Sequence, residues 1–191
     1  LSSTPNHAST LRGLLEGAII LEGLAIDQDL RWELLAGLSI SGASSAEEID
    51  AERAADNTAN GAQAAARARA LLPSLASKQA VFDQLVASDS TPNAIVSAMS
   101  MSFAATHDPT TLEPFIGQYF EALEELWASR TYKIAEYLAE GLYPSSIIGE
   151  PLVTASKAWL AGAPAIPALR RIVEENLAGV ERALRVQALD R

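Results

Sequence analysis

DQDLRWELLAGL, residues 27–38, decides the fold class. Asp27 has the side chain to cap a helix, and Asp29 falls in the first turn, where a carboxylate suits the exposed backbone N–H groups. Leu30, Leu34, Leu35 and Leu38 then recur at helical spacing and give one apolar face. Gly42 closes the unit. Arg31 beside Trp32 adds a cation and an indole to the face, with no nucleophile or base nearby in sequence.

The same grammar recurs outward from this helix. Ser44 and Glu47 have capping-box spacing and open a helix through about Ala55. Asp56–Gly61 (DNTANG) is a turn cluster leading into an alanine-rich helix that runs to Leu72 and stops at Pro73. Ser74 starts a helix with Val81, Phe82, Leu85 and Val86 inward. Thr91–Pro92 reads as a cap followed by proline at the first helical position, and residues 106–111 read as a loop. The strongest periodicity follows, from Leu112 through Phe115, Tyr119 and Leu123 to Trp127. Ser129–Arg130 marks a corner before a helix that carries Ile134, Leu138 and Leu142. Pro151 opens another, Gly162 and Pro164 end it, and a last segment spans Pro167 to about Leu189, with Asn176 and Gly179 as candidate break points. AIIL, residues 18–21, is the single strand candidate. The expected architecture is all-α, an α-solenoid of stacked antiparallel helical hairpins resembling HEAT or armadillo arrays, with roughly nine or ten helices and no regular sequence repeat.

Composition narrows function by exclusion. The 191 residues carry 24 acidic and 14 basic side chains, a net charge of −10. That balance disfavours nucleic acid and anionic membranes as partners. Zero cysteines exclude thiol catalysis and a disulfide scaffold, and suggest the cytoplasm. No run approaches the ~20 apolar residues of a membrane span. The chain opens on Leu1 and its first ten residues are polar, so residues 1–10 are expected to be a flexible leader at an artificial boundary and residues 11–191 a single helical-repeat domain.

Catalytic and metal motifs are missing from the sequence. His7 and His107 are the two histidines, with no partner at ligand spacing. Glu47–Glu48, Glu124–Glu125 and Glu174–Glu175 are adjacent pairs, which diverge on a helix and make poor acid–base couples. Arg170–Arg171 offers a carboxylate or phosphate grip, or salt bridges to Glu174 and Glu175. No catalytic residue is assigned. Arg130, between Trp127 and Tyr132, is the leading functional candidate: it can stack on a ring and offer its donor fork, or clamp carbonyls at a helix end. Tyr119 and Tyr132 join it as candidate cavity residues, though the helical spacing of Tyr119 favours the core. Asp29, Arg31, Trp32 and Trp127 are structural markers, and Arg31 and Trp32 are expected to fix the seam between two helical hairpins.

In order, LRGLLEG (11–17), EGLAIDQDLRWELLAGLSISG (22–42), IDAERAADNTANGAQAAARARALLPS (49–74), QYFEALEELWASRTYKIAEYLAEGLYP (118–144) and ALRRIVEENLAGVERALRVQ (168–187) resemble the C-terminal helical domain of M1-family aminopeptidase N of the actinobacterial type, a domain similar in form to that of the endoplasmic-reticulum aminopeptidases. Asn57 departs from that pattern, where proline is usual. The resemblance implies a curved helical stack, inactive by itself, that packs on an upstream catalytic domain of the same chain. It implies that zinc is bound in that upstream domain and that this segment holds no cofactor. It also implies a cap over the active-site cleft that admits peptide substrates and excludes folded proteins. On this reading an apolar docking face exists, with Leu11–Leu24 the expected stretch, and the isolated fragment can self-associate through it. The alternative is a stand-alone helical-repeat scaffold that binds a protein partner.

Overall fold

A computed structural model describes residues 5–87, 90–162 and 166–189. Ten α-helices and one short 3₁₀ turn account for the regular structure, and no strand occurs among the described residues. They are α1 Pro5–Leu15, α2 Gln28–Ile40, α3 Ala46–Ala55, α4 Ala59–Leu71, α5 Leu75–Ala87, α6 Asn93–Phe103, α7 Phe115–Ser129, α8 Tyr132–Gly141, α9 Glu150–Gly162 and α10 Pro167–Leu189, with the 3₁₀ turn at Pro109–Leu112. The all-α expectation holds.

The helices form two rows. In one, α2 packs on α4, α4 on α6, α6 on α8 and α8 on α10. In the other, α3, α5, α7 and α9 lie against that row, and α1 lies along α2. Gly141 shows how tight the first row is. A Cβ there would fall 2.4 Å from the Ser100 backbone carbonyl, so α8 can touch α6 only because this residue has none. The second row is looser: α7 and α9 touch, but α3 and α5 stand off and leave a cleft of about 390 Å³ floored by Ala62, Ala66 and Met99. Two parallel rows, mutually antiparallel, are what stacked helical hairpins produce.

Two cores result. The larger runs from α4 to α10 and is aromatic: Phe82, Phe103 and Phe115 pack with ring centroids 5.1–5.9 Å apart, and Tyr119 meets Tyr143 edge-on at 5.5 Å. The smaller holds Trp32, Leu35, Ile49, Ala65, Ala68 and Leu72. Helix α4 feeds both, Ala66 and Ala70 to one and Ala65 and Ala68 to the other. A helix buried on two sides has room for little beyond methyl groups, which explains its alanine content.

Several expectations shift. The described part of the leader, residues 5–10, forms the first turns of α1, and residues 1–4 lie outside the described set. AIIL sits in the turn between α1 and α2. The capping box uses Ser45 and Glu48, one position later than Ser44 and Glu47. Both registers satisfy the motif in SSAEE; Ser44 is engaged by Ser39 and Glu48 by Arg12, which settles the choice. Pro92 occupies the cap position itself, with α6 starting at Asn93. Asp108 caps the 3₁₀ turn inside the expected loop through its bond from the Thr110 N–H. Helix α10 runs unbroken past Asn176 and Gly179, because Leu169, Ile172, Val173, Leu177 and Val180 bury one continuous stripe. The expected break at Pro164 lies outside the described residues.

Candidate functional site

The C-terminal ends of α2, α4 and α6 meet the N-terminal half of α1 around a concavity of about 800 Å³. Its floor is apolar, from Ala36, Gly37, Ile40, Leu71 and Met101, and its polar groups include His7, Thr10 and the Glu33–Arg67 ion pair. Half-exposed Met101 gives it a deformable wall. The volume suits a short peptide. The residues around it offer packing and charge.

The opening motif builds a seam beside this groove. Asp27 accepts the Leu30 N–H at 2.9 Å and starts α2, with Asp29 exposed in the first turn. One turn later Arg31 grips Glu52 of α3 with two N–H groups, Nε at 2.8 Å and Nη2 at 2.7 Å, while Gln28 donates to the same carboxylate at 2.7 Å. Glu52 is 9% exposed, so its charge is satisfied almost wholly by protein. Trp32 donates its indole N–H to Asp56 at 2.8 Å, and Asp56 also accepts from the Thr58 hydroxyl at 2.7 Å, which starts α4. Arg31 holds the Glu52 carboxyl below the usual carboxylate range. Trp32, then Thr58, does the same for Asp56. Arg31 and Trp32 therefore tie α2 to α3 and to the turn that opens α4. Of their acceptors, Asp56 was read only as the start of the DNTANG turn, and Glu52 was not singled out. Glu52 could have been: it lies three residues after Ile49, on the face of α3 that turns inward.

Arg130 acts as a clamp in this structure. Its Nη2 donates to the Val86 carbonyl at 2.9 Å, joining the ends of α7 and α5, and its Nε is buried without a partner. Trp127 and Tyr132 meet edge-on at 5.5 Å beside it, Trp127 half-buried and Tyr132 exposed. Tyr119 is remote from any opening: it is buried, its hydroxyl donates to the Ala139 carbonyl at 2.7 Å, and burial pushes its phenol well above the ordinary range. The structure therefore does not gather Arg130, Tyr132 and Tyr119 into one cavity. Arg170 donates to the Leu160 carbonyl at 2.9 Å and sits 3.7 Å from Glu174, tying α10 to α9, while Arg171 sits 3.8 Å from Glu175 within α10.

Lys78 escaped the sequence reading. It is fully buried at the start of α5, and its ammonium donates to the carbonyls of Ala70 at 2.7 Å, Phe103 at 2.7 Å and Ala105 at 3.1 Å. One cation thus caps the C-terminal ends of α4 and α6, where the helix dipoles favour positive charge. Burial pushes its pKa down to about 8, so it remains protonated at neutral pH. The sequence signal was its place in the stripe with Val81, Phe82 and Leu85, a lysine where the pattern asks for an apolar residue.

Among the described residues no group of three His, Asp or Glu side chains could hold a metal ion; His7 stands on α1 and His107 in the loop after α6. No helix among the described residues is long and apolar enough to cross a membrane.

Comparison with known proteins matches this architecture to a family. The model of the ERAP1-like C-terminal domain matches residues 1–182. Aminopeptidase N from Streptomyces lividans is 41% identical over 187 residues, which cover 98% of this chain and 22% of that protein, in its C-terminal part. The chain thus spans about a fifth of the length of this curated relative.

Proposed function

Because the chain belongs to the ERAP1-like C-terminal domain family, we propose that it is the non-catalytic C-terminal domain of a zinc aminopeptidase N, acting in the cytoplasm. In this reading it packs on the catalytic domain of its own polypeptide and covers the active-site cleft. Peptides reach the chamber so formed, and folded proteins do not. Zinc belongs to the upstream domain and supplies the Lewis-acid chemistry of peptide hydrolysis there. The residues of this chain shape access.

The observation that carries the reading is the relation to the Streptomyces protein, 98% of this chain against 22% of the relative. The groove of about 800 Å³ supports it by offering a peptide-sized concavity on the closely packed side of the stack. The test is direct. The purified 191-residue chain, supplied with zinc, is expected to release no chromophore from aminoacyl-nitroanilides, and zinc-dependent turnover would contradict the proposal. Removing this segment from the longer enzyme is expected to lower turnover of peptides; unchanged kinetics on short and long peptides would count against a gating role.

A further inference from the structure

The two ends of the stack are finished differently. At the far end, α10 presents Arg171, Glu174, Glu175, Arg182 and Arg185 to solvent, with Val186 and Leu189 exposed only in its last turn. At the near end, the turn between α1 and α2 presents Ile20 at 85% exposure, Leu21 at 50%, Leu24 at 44% and Ile19 at 37%. Four neighbouring apolar side chains in one short connection make a patch, unlike the scattered exposed apolar residues of an ordinary surface.

The backbone of this turn is fixed. Gly17 and Gly23 take φ of +74° and +81°, conformations that favour glycine, and bracket the apolar tip. Backbone bonds run from the Glu16 N–H to Arg12 at 3.0 Å, from Ile19 to Gly13 at 2.9 Å and from Leu24 to Leu21 at 3.0 Å. Arg31 also reaches back to the Leu15 carbonyl at 3.3 Å, anchoring the start of the turn to the seam. The fold thus spends backbone order on holding apolar side chains outward. Glu16 and Glu22 stand exposed at the rim.

We infer that the Ile19–Leu24 turn is the docking surface for the part of the polypeptide that precedes this chain in a full-length aminopeptidase N. The occupant follows from the length outside the structure: the Streptomyces relative extends far beyond the 22% matched, and the match lies in its C-terminal part, so the missing bulk arrives on the α1 side. The receiving surface is apolar with basic groups at its edge, complementary to Ile20, Leu21 and Leu24 ringed by Glu16 and Glu22. This inference rests on the proposed function and adds which face docks.

The test compares thermolysin cleavage within residues 16–26 in two proteins, the full-length enzyme and the 191-residue chain alone. Docking predicts cleavage at least 10-fold slower in the full-length enzyme. Ile20→Ser with Leu21→Ser is expected to abolish that protection and to leave the thermal midpoint of the isolated chain unchanged, since both side chains already face solvent. Val186→Ser with Leu189→Ser, equally exposed on α10, is expected to leave protection intact. Equal cleavage in both proteins, or protection that survives the Ile20/Leu21 change, overturns the inference. If another face alone is protected, the inference falls and the cap reading stands; if no face is protected, both fall. Concentration-dependent protection of the turn in the isolated chain would assign the surface to a second copy and also overturn the inference.

Discussion

The units on either side of α4 reach stability by different routes. Helices α5–α10 bury a continuous aromatic and aliphatic core, whereas α1–α3 surround a core of six buried residues, two of them alanines from α4 itself. The N-terminal unit adds charge contacts between its helices: Arg12–Glu48, Arg31–Glu52, Arg67–Glu33 and Arg69–Asp50 each join one helix to another. Area buried from water stabilises at every pH and salt concentration. Ion pairs are screened by salt and titrate with pH. The unit with the proposed docking turn thus leans more on salt-sensitive contacts, while in the aromatic unit Lys78 is the titrating exception.

The contrast can be broken most forcefully in the aromatic unit. Phe115→Ala is expected to cost about 3–5 kcal/mol, because Phe115 is fully buried between Phe82 and Phe103 and the cavity can collapse only in part. Urea unfolding would show it, and a loss below about 1 kcal/mol would mean the core is looser than its packing implies.

Lys78→Met comes next, at about 2–3 kcal/mol, since the buried carbonyls of Ala70 and Phe103 and the half-buried one of Ala105 lose their donor. Its pH signature separates it from ordinary packing. The folded lysine titrates near 8 and the unfolded one near 10.4, so between those values the unfolded chain binds more protons and stability of the natural protein rises with pH. Melts from pH 7.5 to 10 should show that rise, and the variant should lack it.

Glu52→Gln is expected to cost about 1–2 kcal/mol at pH 7, discounted for the partial exposure of Arg31. The Glu52 carboxyl is held below its ordinary 4.5 in the fold, so its contribution is complete above that pH and disappears as pH falls through the folded value. The difference in midpoint between natural protein and variant should therefore shrink below about pH 4.5. A difference constant down to pH 3 would remove the ion pair from the account. Smallest of all, Arg67→Ala should change stability by less than about 1 kcal/mol, and less still at high salt, because both partners of its pair are exposed.

The fold was legible where local chemistry and burial agree. Asp27 capping with the Leu30–Leu38 stripe marked α2, and the long periodicity ending at Trp127 marked α7. Registers slipped where the sequence offers two equal choices, as in SSAEE, and a long-range partner decides between them. The candidate site was legible in part. Arg31 and Trp32 stood out by type, yet their partners Glu52 and Asp56 come from another helix and a turn 21 and 24 residues away. Arg130 declared itself by its aromatic flanks, while the carbonyl it holds lies 44 residues earlier, at Val86. Lys78 was visible as an anomaly in an apolar stripe, and only the stacking of α4 against α6 explains it.

Hydrogen exchange read peptide by peptide, in the 191-residue chain alone and in the full-length enzyme, tests most directly the claim that the N-terminal unit is the one built to be covered. The account predicts slower exchange in α1 and residues 16–26 within the longer protein, with α7, α8 and α10 unchanged. Protection gained only along α10, or none gained at the α1 end, would contradict it.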